Sequence, residues 1–258
     1  MRKLRDERGN TYGRDGNVML WDADCARRYD QWAESPKGNF ALRRQEELLQ
    51  RLLACWPRQR QKLLDIGCGT GIFLEFFWSC GFDVSGLDKS PDMLSRAREK
   101  MGDRAHLHLG EADHLPFDDR EFDYTSLMTV LEFVDDPALV LREAARVSRK
   151  GVLITFLNRF SLYRLSVRLS GRKSALSQAR WFGWPGMRGL IRRSIHPGHM
   201  TARSVLPGPP MTWKPLPGLR YVNGLELFPW CGAVTAVRAD LVSPAARTPL
   251  MAWNTEPT

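Results

Sequence analysis

Between Ala144 and Leu225 the chain contains no Asp or Glu, while 15 of its 38 Lys and Arg residues fall in that stretch. The remainder holds 23 basic against 29 acidic side chains, so the net charge of +9 combines a mildly acidic body at −6 with a +15 segment. A field this lopsided favours an anionic partner at the segment, whether a small substrate, a nucleic acid or a membrane surface; charge alone sets steering and solubility, not a site. Long apolar runs are also missing. Nowhere do 18 apolar residues follow one another, so no membrane-spanning helix is expected. The N-terminal MRKLRDERGN is charged from its second residue with no apolar stretch behind it, which argues against a secretory signal. The five cysteines (Cys25, Cys55, Cys68, Cys80 and Cys231) form no CxxC pair and no metal-type spacing. A reduced, cytoplasmic chain without a bound metal is the expectation. What is plentiful is core material: 43% of the 258 residues are hydrophobic and 10% aromatic, which excludes a disordered or collagen-like chain.

Periodicity organises the first two thirds. Ala41 to Trp56 carries leucines near a 3.6 period and reads as an amphipathic helix ended by Pro57. Lys62 to Ile66 is a short apolar run stopped by three glycines, Ile72 to Cys80 is helix-sized, and Phe82 to Leu87 is again strand-like, which makes a βαβ unit. Pro91 to Met101 reads as a helix with Ser90 as N-cap, Ala105 to Leu109 and Phe122 to Met128 as strands, Pro137 to Ser148 as a helix capped by Asp136, and Gly151 to Leu157 as a strand. Strands alternating with helices imply an α/β chain with a doubly wound, mostly parallel sheet. Beyond Asn158 the regularity fails, and seven of the 16 prolines lie between Pro185 and Pro217. The expected organisation is therefore a helical entry segment at 1–57, a core at 58–157, a basic Pro- and Trp-containing cap inserted at 158–218, strands completing the sheet at 219–242 and a flexible tail at 243–258.

The chemistry-bearing constellation is Asp65-Ile66-Gly67-Cys68-Gly69-Thr70-Gly71. Closely spaced glycines after a strand let backbone N–H groups and a helix N-terminus approach a polar ligand. Ile72 stands where a dinucleotide fingerprint needs its third glycine, and no GK[ST] is present to hold a triphosphate. Asp88, at the end of the second strand, is placed to accept hydrogen bonds from both hydroxyls of a ribose. An adenosine without phosphates is suggested.

This arrangement resembles the class I S-adenosylmethionine (SAM)-dependent methyltransferases, specifically the ubiquinone-biosynthesis-like (methyltransferase type 11) domain family. The stretches that carry the resemblance are KLLDIGCGTG at 62–71, VSGLDKSPDML at 84–94, GEADHLPFDDREFD at 110–123, VLEFVDDP at 130–137 and REAARVSRKGVLI at 142–154. The resemblance implies a seven-stranded Rossmann-like sheet, SAM as cofactor and S-adenosylhomocysteine as product. It also implies that Asp65 supports the loop and the methionine ammonium, that Gly67, Cys68, Gly69 and Gly71 form the loop, and that Asp88 takes the ribose hydroxyls. Lys89 and Met93 would border the adenine, Glu111 and the Ala112 amide would face it, and Met128 and Thr129 would line the methionine side. Two positions depart from the family: Glu111 replaces the usual Asp, and Phe133 stands where a His often follows Glu132. The segment Tyr29-Asp30-Gln31-Trp32 looks like the entry segment that folds over SAM in some members, with Tyr29 near the sulfonium or carboxylate.

No catalytic base is evident, and alignment of two bound reactants makes one optional. Tyr29, His196 and His199 are weak candidates, while His106 and His108, alternating on the third strand, read as structural. For the acceptor, Arg164, Arg168, Trp181, Trp184, Arg192 and Arg193 in the basic cap are the candidates. The expected function is methyl transfer to a small-molecule or lipid-like acceptor, anionic or aromatic, by a cytoplasmic enzyme that could sit at a membrane periphery. An RNA methyltransferase and a non-catalytic SAM-fold binding protein are the alternatives. The leucines and arginines of 162–172 do not separate into a clean membrane-surface helix in the sequence.

Overall fold

Three helices begin where a short polar side chain meets a proline. Ser35 accepts a hydrogen bond from the Gly38 N–H at 3.1 Å and Pro36 fills the first turn of α2 (Pro36–Leu53). Ser90 caps α4 (Pro91–Met101) through the Met93 N–H at 3.2 Å, and Asp136 caps α5 (Pro137–Arg146) through Ala138 and Leu139. Each such cap contributes about 1 kcal/mol. Helix α2 stops before Pro57, because Trp56 turns into the core, stacks on Tyr124 at 4.0 Å and donates its indole N–H to Asp240 at 2.7 Å. The computed structural model describes residues 21–170, 176 and 179–241; the expected tail from 243 and the start of the entry segment lie outside them.

The strands β1 (Lys62–Ile66), β2 (Asp83–Asp88), β3 (Ala105–Leu109), β4 (Phe122–Met128), β5 (Ser148–Leu157), β6 (His199–Val205) and β7 (Val234–Asp240) form one sheet in the order β3-β2-β1-β4-β5-β7-β6. The first five are parallel, and β7 runs antiparallel between β5 and β6. Successive residues alternate between two cores, as a strand's period of two requires. Leu63 and Leu153 join α2 and α3 (Ile72–Ser79) on one face, whereas Leu64 and Ile154 join α5 and α7 (Trp184–Ile195) on the other. The doubly wound seven-stranded sheet is thus as expected. The order reverses between β1 and β4, and a ligand in such a sheet binds outside the carboxyl ends of the strands at that reversal.

The expected cap at 158–218 is corrected by the structure. Two of its parts belong to the fold itself: α7 packs on α5 through Met187, Ile191 and Ile195, and β6 is the edge strand. Those three residues recur every four positions, and the arginines between them face away, so charge concealed an ordinary buried stripe. The stretch 219–242, expected to carry strands completing the sheet, enters it as a strand only from Val234. Before that, Gly232 lies so close to Val205 that a Cβ there would meet the Val205 carbonyl oxygen at 2.3 Å. What rises above the strand ends is α6 (Leu162–Ser170), the segment around Trp181, and residues 206–233 with the short helix α8 (Pro217–Gly224).

Candidate functional site

The loop after β1 is bent by its glycines and pinned from β2. Gly67 has φ 71° and its N–H donates to the Leu87 carbonyl at 2.7 Å; the Cys68 N–H reaches the same oxygen at 3.0 Å. Gly69, at φ 54°, has nothing within 4 Å of where a Cβ would stand, so the loop opens on free space there. Gly71 is different: a Cβ there would meet Ala97 at 3.1 Å, so this glycine serves the packing of α3 on α4.

Two buried carboxylates frame that opening. One oxygen of Asp88 accepts the Gly69 N–H and the other the Ser90 N–H, both at 2.9 Å, which fixes the carboxylate while leaving each oxygen a further lone pair. Burial raises its pKa against these hydrogen bonds. Asp65, at the end of β1, accepts from the Ser126 hydroxyl at 2.6 Å, while its other oxygen is buried without a partner. Burial drives the Asp65 carboxyl up to about 7, Ser126 opposes the shift, and Asp88 adds to it. A buried acceptor with nothing to accept from is costly, about 1–3 kcal/mol, and it marks where a cationic or hydrogen-bonding ligand group fits.

A roof comes from the entry segment. Tyr29 on α1 (Ala23–Glu34) lies close enough to Asp65 that burial, the Asp65 charge and the Asp30 charge push its phenol up to about 12, so it stays protonated. Trp21 packs edge-on against Phe133 at 5.0 Å, and its carbonyl accepts from the Ser90 hydroxyl. Asp30 fastens α1 to the loop: it accepts from Thr70 at 2.7 Å and from Arg96 at 3.1 Å, and pairs with Lys100, which also reaches Thr70 at 3.0 Å. Burial raises the Asp30 pKa, but these hydrogen bonds outweigh it and hold the carboxyl below its ordinary value. Asp30, Thr70 and Lys100 were not expected as site residues, because their pairing spans 70 positions. The sequence signal that existed was Asp30 following Tyr29 on a helix.

On the opposite flank Met128 is buried at the end of β4, and Thr129 holds φ 59° with its N–H on the Thr155 carbonyl at 3.2 Å. A left-handed β-branched residue costs on the order of 1–2 kcal/mol, a strain concentrated at the strand end facing the opening. Glu132, also unanticipated, accepts the Leu157 N–H with one oxygen, and its second oxygen is buried and unpartnered. Burial pushes its carboxyl to about 8 against that hydrogen bond.

The remaining sequence candidates divide. Met93 is buried beneath the Asp88 side, Lys89 is exposed beside it, and the Gly110 N–H on the Asp88 carbonyl at 3.1 Å brings the loop of Glu111 and half-buried Ala112 to the same edge. Burial, followed by the charges of Asp65 and Asp88, raises the Cys68 thiol well above its ordinary value, so it is no nucleophile. Arg164 lies over the Trp181 ring at 4.9 Å, and with Arg159, Phe160 and Arg168 they line a groove of about 540 Å³ beyond the end of β5. Five expected residues do not join them. Arg192, Arg193 and His196 close α7 and His199 opens β6, paired with Asp240 at the amino edge of the sheet, opposite the glycine loop. Assigning them to the acceptor or to catalysis is therefore corrected. Trp184 packs into the α5–α7 core and not onto Trp181. His108, its pKa lowered by burial and then by His106, sits edge-on to Phe117 on β3. Among the described residues no group of three or more His, Cys, Asp or Glu is arranged to hold a metal ion.

A family profile described as a methyltransferase domain matches residues 64–156. Over 142 residues the chain is 33% identical to the phosphatidylethanolamine N-methyltransferase of Cereibacter sphaeroides, covering 53% of this chain and 68% of that one. It is 39% identical over 94 residues to the malonyl-[acyl-carrier protein] O-methyltransferase of Hamiltonella defensa, a match that spans only 36% of either chain. Among solved structures, a SAM-dependent methyltransferase of Thermotoga maritima shares the fold with a TM-score of 0.67 at 24% identity, covering 85% of this chain and 98% of that one.

Proposed function

This chain belongs to the class I SAM-dependent methyltransferases, and from that premise we propose that it methylates a small or lipid-like acceptor carrying an anionic or aromatic group. The observation that carries the reading is the pair of buried carboxylates either side of an open glycine loop, one with an unpartnered oxygen. That donor set fits SAM: Asp65 faces an ammonium, Asp88 offers two lone pairs to ribose hydroxyls, and the space above Gly69 admits the cofactor's backbone. Bound there, SAM supplies an electrophilic methyl on a sulfonium. The chain's own contribution is alignment and exclusion of water. Tyr29, Trp21 and Phe133 roof the site, and Met128 with the strained backbone of Thr129 borders it. Orienting two bound reactants supplies on the order of 7–11 kcal/mol without a base. The acceptor lies in the groove of Arg159, Arg164, Arg168 and Trp181, where guanidinium groups meet an anion and the indole an apolar or ring surface.

Two measurements test this. Calorimetric titration with SAM from pH 5.5 to 8.5 is expected to show affinity falling as pH drops below about 7, by up to about tenfold per unit, because protonated Asp65 no longer balances the ammonium. Asp65→Asn is expected to flatten that profile; an unchanged slope in the variant overturns the role. For the acceptor, methyl transfer is followed by mass spectrometry against phosphatidylethanolamine and anionic phenols. Arg164→Glu is expected to lower kcat/KM about tenfold or more with SAM affinity within about twofold. Equal loss of both refutes the groove as the acceptor site.

A further inference from the structure

Helix α6 presents apolar residues on two faces. At about 100° per residue, Tyr163 and Val167 share a side, and it is turned inward: Tyr163 meets Trp181 at 5.7 Å and Trp213 at 5.0 Å, and Val167 packs on the same core. Leu162, Leu165 and Leu169 fall within about 60° of one another on the roughly opposite side, exposed at 50%, 51% and 77%. Arg164 and Arg168 flank that ridge. Phe160, 64% exposed, stands just before the helix, and Phe228 and Trp230 are exposed on the loop whose Pro229 carbonyl Asn158 holds at 3.2 Å. Scattered exposed leucines need no explanation, but a ridge at i, i+3 and i+7 aimed away from the core does. In the sequence these residues looked mixed; the structure sorts them into an anchoring face and an outward one.

We propose that the leucine ridge of α6, with Phe160 and the Phe228–Trp230 loop, is a docking face for an anionic lipid membrane. The ridge enters the boundary of the acyl chains, and Arg159, Arg164 and Arg168 meet the headgroup phosphates. Charge complementarity selects this occupant: the whole stretch from Ala144 to Leu225 lacks a carboxylate. A second copy of this chain would set arginine flank against arginine flank with no acid between them. A nucleic acid would stack on Phe160, Phe228 and Trp230 but would find only aliphatic side chains along Leu162, Leu165 and Leu169. Among the described residues no helix is long and apolar enough to cross a membrane, so the contact is peripheral. This goes beyond methyl transfer, although the face adjoins the proposed acceptor groove and shares Arg159, Arg164 and Arg168 with it.

The test is co-sedimentation of the full chain with vesicles of phosphatidylcholine containing roughly one third phosphatidylglycerol. Binding is expected to weaken about tenfold or more in Leu165→Ser/Leu169→Ser, in Arg164→Gln/Arg168→Gln, and on vesicles of phosphatidylcholine alone. SAM affinity, measured on the same preparations, reports folding separately and leaves the methyl-transfer reading independent of the outcome. Should the leucine variant lose SAM binding, the arginine pair decides. Three results overturn the proposal: vesicle binding within about twofold of wild type in both variants, RNA binding tighter than vesicle binding through the same residues, or a dimer in sedimentation velocity that the leucine substitutions dissolve.

Discussion

Asp88→Ala is expected to weaken SAM binding by roughly 100- to 1,000-fold, as read by calorimetry. The carboxylate is the acceptor proposed for two ribose hydroxyls, and hydrogen bonds to a charged group are worth about 1.5–3 kcal/mol each. It is also the anchor of the loop, because the Gly69 and Ser90 N–H groups both end on it. The usual conservative change is not conservative here. In Asp88→Asn the amide nitrogen must face one of those N–H donors, so the Asn variant is expected to lose nearly as much affinity as Ala. Retention of binding within about fivefold in either variant rules out this use of Asp88.

Gly67→Ala and Gly69→Ala are expected to separate stability from binding. At Gly67 a Cβ would stand 2.7 Å from the Val130 side chain, at φ 71°. Backbone strain of about 1–2 kcal/mol adds to overpacking of about 1–3 kcal/mol. Thermal unfolding is expected to move down by roughly 5–15 °C. At Gly69 the same substitution meets nothing and costs only the strain of φ 54°. Its methyl group projects into the space assigned to the cofactor, so SAM affinity is expected to fall while the melting temperature moves by only a few degrees, roughly 2–6 °C. Equal melting temperatures for the two variants would falsify the distinction.

The pattern of what could be read from the chain follows the range of the forces involved. Strands β1, β3 and β4 and helix α4 sit where local signals place them, since Ser90-Pro91 and the glycines act within a few residues. The places of Asp65 and Asp88 were legible for the same reason: each stands in the last two residues of a strand beside the glycine loop. Asp30 on Thr70 and Lys100, Ser126 on Asp65, and Glu132 on Leu157 were not, because each pairing joins residues 25 to 70 positions apart. The basic segment misled for another reason. Its arginines dominate composition, yet the sparse Met187, Ile191 and Ile195 stripe decides where α7 lies. His199 and Arg192 follow that helix to the far edge of the sheet.

The position of β7 sets an order of assembly. Strand β6 leaves the ribosome before β7, yet among the described residues the strand that pairs along its length is β7, which slots between it and β5, while Leu227 meets it only at a single bridge on Ser204. During synthesis β1 to β5 can pair as they emerge, but β6 waits with an unpaired edge until residues 234–240 arrive. The same strand then receives the Trp56 indole on Asp240 and, from Arg238, donates to the Leu52 carbonyl at 2.9 Å, fastening the end of α2. The late strand is therefore a keystone, and contacts so distant along the chain slow folding while making its final step cooperative.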